Sequence, residues 1–101
     1  MARRRNAGRA VRLQQTLEAA LSAFQDGRAE DTAALCARIL EAKPRQPSAL
    51  HLLGVAYLTL GQPEDAAETL AKAAQADAGN PELHANLGAA LRAAGKTEDA
   101  V

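Results

Sequence analysis

Gly27-Arg28-Ala29-Glu30-Asp31, Gly61-Gln62-Pro63-Glu64-Asp65 and Gly95-Lys96-Thr97-Glu98-Asp99 are variants of one pentapeptide, each beginning 34 residues after the last. Gly54 and Gly88 keep the same spacing. A fixed period of this length marks a stacked-repeat architecture, and it takes precedence over any local motif. In this phase the chain divides into 13–46, 47–80 and an incomplete 81–101, preceded by the segment 1–12.

The middle unit shows what each repeat is. Leu50, Leu53, Tyr57 and Leu60 recur at three- and four-residue steps, one face of a helix turned to a core, predicting a helix over 48–60. Gly61 supplies the positive-φ residue that ends helices. Pro63, Glu64 and Asp65 suit a first turn, where proline is tolerated and acids oppose the helix dipole. A second helix over 63–77 carries the inward stripe Ala66, Leu70 and Ala73, and Asn80 is positioned to cap the next one. Two such helices cannot bury their apolar faces alone, so successive hairpins must stack. Gly54 and Gly88 fall mid-helix, where glycine costs about 1 kcal/mol against alanine, so a close approach is expected at both.

Composition agrees. Of 101 residues, 26 are Ala and 14 Leu, while Val, Ile and Thr together number nine, too few for a sheet protein. The fold class expected is all-α, an α-solenoid of antiparallel helical hairpins. The single Cys36 reads as a small core residue.

The residues resemble the tetratricopeptide repeat, a 34-residue helix-turn-helix unit. The likeness rests on Leu53-Gly54, Tyr57, Gly61, Ala66, Leu70 and Ala73 in the middle unit, on Leu87-Gly88, Leu91, Gly95 and Ala100 in the third, and on Gly27, Leu35, Ile39 and Pro44 in the first. The wording also resembles the N-terminal repeats of bacterial proteins whose glycosyltransferase or sulfotransferase domain lies further along. The resemblance implies a concave surface lined by the first helix of each unit, on which a peptide or helix of a protein partner lies. By column its contacts would be Leu17, Leu21, Phe24, Val55 and Leu58, with His51, Asn86 and Arg92 giving polar selection. The carboxylate clamp found on chaperone-binding repeats lacks its Lys, Asn and Arg pattern here. Of the asparagine ladder of O-GlcNAc transferase arrays, the column Glu18, Leu52 and Asn86 keeps one rung.

Other functions find little support. No Ser-His-Asp or Cys-His set, phosphate-cradling loop or buried carboxylate pair falls in the pattern, so the expectation is a scaffold and not an enzyme, without cofactor. His51 and His84 make a poor metal pair; His84 is expected to fill the bulky first-helix column and His51 to face the groove. Net charge is zero, divided between five Arg and no acid in 1–12 and a body of 7 basic and 12 acidic side chains. The segment 1–12 is read as a disordered basic arm. As a nucleic-acid tether it would use Arg3, Arg4, Arg5, Arg9 and Arg12, but no aromatic is interleaved and this partner is disfavoured. No apolar run spans a membrane and no secretory signal opens the chain, so a cytoplasmic setting is expected. Gly95 is expected to turn into a second helix that the sequence cuts short, as in a fragment of a longer protein. That would expose Leu83, Leu87 and Leu91 to fraying or self-association.

Overall fold

The computed structural model describes the backbone of residues 2–99 and the side chains of residues 11–96. Five helices follow one another: α1 (Ala2–Gln25), α2 (Ala29–Ala42), α3 (Pro47–Thr59), α4 (Pro63–Ala76) and α5 (Pro81–Asp99). Each packs on its neighbours in sequence, and α3 also touches α1 and α5, so the first helices stand side by side. This is the expected solenoid.

The turns inside the hairpins explain the period. Gly27 and Gly61 hold φ of 76° and 73°. At the second turn Gly61 N–H donates to the Leu58 carbonyl at 3.1 Å and Gln62 N–H to that of Tyr57 at 2.9 Å. The first repeats this with Gly27 to Phe24 and Arg28 to Ala23, at 3.1 and 2.9 Å. These paired bonds satisfy the last carbonyls of α1 and α3, and the left-handed residue inside them is least costly as glycine. Caps set the starts: Ala49 N–H donates to Gln46 Oε1 at 2.6 Å, and Leu83 N–H to Asn80 Oδ1 at 3.3 Å.

Packing divides into two linked clusters. Ala20, Cys36, Ile39, Ala49 and Leu53 form one, and Leu50, Ala66, Leu70, Ala73, Leu83 and Ala90 the other, with Leu40 and Tyr57 touching both. Alanine predominates because the helices approach closely. A Cβ at Gly54 would collide with Cγ and Cδ2 of Leu70, a side chain fully buried and unable to yield. Thr32, the buried polar residue among those described, donates to the Arg28 carbonyl at 2.8 Å.

Four expectations are corrected. α1 begins at Ala2, so residues 2–12 continue the first helix where a disordered arm was expected over 1–12. Its Arg and Ala residues are strong helix formers and outnumber the weaker Asn6, Gly8 and Val11. Gly95 lies inside α5 and is not a turn. Gly27 and Gly61 are each followed by a helix that folds back onto its predecessor; none follows Gly95 among the described residues, so nothing offsets the cost of breaking the ladder.

The other two share a cause. Leu83 is buried, not exposed, and His84 is exposed, not in the core. Leu83 and Ala90 occupy the columns of Ala49 and Ala56, which face the preceding hairpin. His84, Gly88 and Leu91 occupy those of Leu50, Gly54 and Tyr57, which face the helix after them, absent here among the described residues. Leu91 is accordingly 56% exposed and Leu87 half-buried. A Cβ at Gly88 would meet nothing nearer than Arg92 Nη1, at 3.5 Å. Ala100, the side chains of Arg3, Arg4, Arg5 and Arg9, and with them the tether reading, lie outside the described residues.

Candidate functional site on the first helices

The site is assembled from α1, α3 and α5. On α3, His51, Val55 and Leu58 lie at i, i+4 and i+7, a ridge that runs beside the face of Leu50, Gly54 and Tyr57, with Leu58 at its edge against the core. On α5 the matching ridge is Ala85, Ala89 and Arg92; Asn86, one residue off it in the column of Leu52, reaches across so that its Nδ2 lies 2.9 Å from His51 Nε2. This contact fixes which flanks of the two helices share a surface. An amide nitrogen only donates, so in this contact Asn86 Nδ2 is the donor and His51 Nε2 the acceptor. On α1, Leu17, Leu21 and Phe24 form the corresponding ridge.

The residues differ in what they leave free. Leu17 is half-buried against the first cluster, and Leu58 half-buried against the second. Val55 is half-buried. Leu21 and Phe24 are 42% and 40% exposed, so the open apolar area is concentrated at the end of α1. Arg92 is exposed, its guanidinium lies back along α5 over Gly88, and it makes no hydrogen bond to His51 or Asn86. The structure thus brings His51 and Asn86 together and leaves Arg92 apart. The two imidazoles go to separate partners, since His84 Nε2 lies 2.6 Å from the Ala78 carbonyl oxygen.

The motif residues serve the scaffold. Leu53, Gly54 and Ala66 are buried, Tyr57 joins the clusters, Gly27 and Gly61 make turns, Leu87 packs on the second cluster, and Gly88 and Gly95 stay helical. Cys36 is fully buried, and desolvation pushes its thiol up from about 9 to about 11, so it is held as the unreactive thiol. Sequence reasoning missed Gln46 as a capping residue. Gln is not a favoured N-cap, and the only signal was Pro47 following it at the helix start.

The helix order, glycine turns and shared core define a solenoid of helical hairpins. A model of the tetratricopeptide repeat matches residues 23–85. The chain belongs to the tetratricopeptide repeat family, which places it among protein-interaction scaffolds. Among solved structures, a mutant of the Thermobaculum terrenum O-GlcNAc transferase is similar with a TM-score of 0.77 and 33% identity, over 81% of this chain and 16% of that chain. The chain therefore spans about 16% of the length of that transferase. A search of curated proteins finds no match. No helix among the described residues is long and apolar enough to cross a membrane.

Proposed function

We propose that the chain is a non-catalytic interaction module that takes an apolar peptide or amphipathic helix from a protein partner on the surface of α1, α3 and α5. The observation that carries this reading is the His51–Asn86 contact at 2.9 Å, which aligns one flank of α3 with one of α5. With Val55 beside it and Leu21 and Phe24 open on α1, the surface offers apolar area with a polar pair at one side, as partner sites do. Leu21 and Phe24 provide the apolar anchor. Leu58 contributes less, because part of its side chain already belongs to the core.

The test is capture of partners by the full chain and by L21D/F24D. Both positions are exposed, so the helical circular-dichroism signal should stay unchanged while the retained protein is lost. Equal retention by both chains would refute the reading. The alternative, an arm of a glycosyltransferase or sulfotransferase, rests on the likeness to the O-GlcNAc transferase and is not favoured by any feature of the site.

A further inference from the structure

A second candidate site lies on the opposite side of α3. Both α2 and α4 pack on α3, yet no Cα of α2 comes within 8 Å of one in α4. The gap is a cleft of about 380 Å³, floored by Leu50, Leu53 and Tyr57 and walled on α4 by Asp65, Glu68 and Lys72. At Lys72 and Pro44 it continues into a hollow of about 330 Å³ that adds Arg45. Glu68 and Lys72 pair at 3.7 Å and largely cancel. Asp65 and Arg45, towards opposite ends, have no ion-pair partner among the described residues. The cleft therefore has an apolar floor, a free carboxylate at one end and a free guanidinium at the other.

We propose that this cleft binds an extended segment of a partner protein carrying a basic residue, an apolar side chain and an acidic residue in line. The basic group pairs with Asp65, the apolar side chain rests on Tyr57 and the leucines, and the acidic group pairs with Arg45. Asp65 and Lys72 are seven residues apart, about 10 Å along α4 at ~1.5 Å per residue. Arg45 lies in the hollow beyond Lys72, so at about 3.3 Å per residue of extended chain the two charges stand at least three residues apart in the partner, and four in the probe used below. The site is independent of the surface proposed above, because its floor is the other face of α3.

The probe is the capped peptide Lys-Leu-Val-Leu-Glu, titrated into isotopically labelled full-length chain and followed by amide shifts. Leu40, Tyr57, Thr69 and Lys72 should move, while Phe24 and Val55 stay still. Peptides with Lys or Glu at both ends should each bind about fivefold more weakly, the size of one exposed ion pair. In D65K, at an exposed position, the peptide with two Glu should become the tightest of the three. Absence of shifts in the cleft, equal affinity for all three peptides, or shifts confined to Phe24 and Val55 would each overturn the proposal. None of these bears on capture through Leu21 and Phe24.

Discussion

Gly54 and Gly88 occupy the same column, and their side-chain environments differ enough to reverse the sign of one substitution. Gly54→Ala forces a methyl against Leu70 and should destabilise by about 1–3 kcal/mol. Gly88→Ala meets only an ordinary contact with Arg92 and should stabilise by about 0.5–1 kcal/mol through helix propensity. Urea unfolding midpoints of the two variants decide it. The sequence disclosed the column but not this difference, because spacing records which positions are equivalent and not whether the partner helix is in place. Leu83 and His84 illustrate the same limit: adjacent letters with one buried and one exposed, sorted by which side of α5 has a neighbour. Cys36 adds a pH dependence. Its thiol is neutral in both folded and unfolded chains below about pH 9; between about 9 and 11 only the unfolded chain ionises, so stability falls as pH rises through this window. The loss of urea midpoint from pH 8 to pH 10.5 should be smaller in Cys36→Ala.

At the level of elements, the hairpin turns were the most legible part of the sequence, because a positive φ leaves a residue-specific mark. Gly61→Ala should cost about 1–2 kcal/mol for the left-handed backbone at φ 73°. Gly95 carries the same letter with the opposite conformation. Gly95→Ala should stabilise α5 by about 0.5–1 kcal/mol, since its φ is helical and a Cβ there would meet nothing within 4 Å. A loss of helical signal or a lower thermal midpoint would mean that Gly95 does turn. The helices α3 and α4 lie within a residue of their expected limits because proline, glycine and acidic residues mark both ends. The start of α1 has no such punctuation. Charge read as disorder there, while arginine is also a good helix former.

Over the whole molecule, the period determined the stacking order, and the stacking order placed the first helices on one surface. The candidate site was thus legible as a set of columns. Its uneven distribution was not: Leu58 is drawn into the core, Arg92 folds back along α5, and the open apolar area falls to Leu21 and Phe24. Those outcomes depend on contacts between hairpins, which helical phase does not specify. The cleft between α2 and α4 was likewise hidden, because it arises from two helices that fail to meet. The most direct measurement of the central claim is photo-crosslinking with a benzophenone amino acid placed at position 24 or, as a control, at the exposed position 38 on α2. A partner adduct should form from position 24 and be absent from 38, and L21D should remove it. Equal adducts from both positions, or an adduct from 24 that survives L21D, would contradict an apolar partner site on α1, α3 and α5.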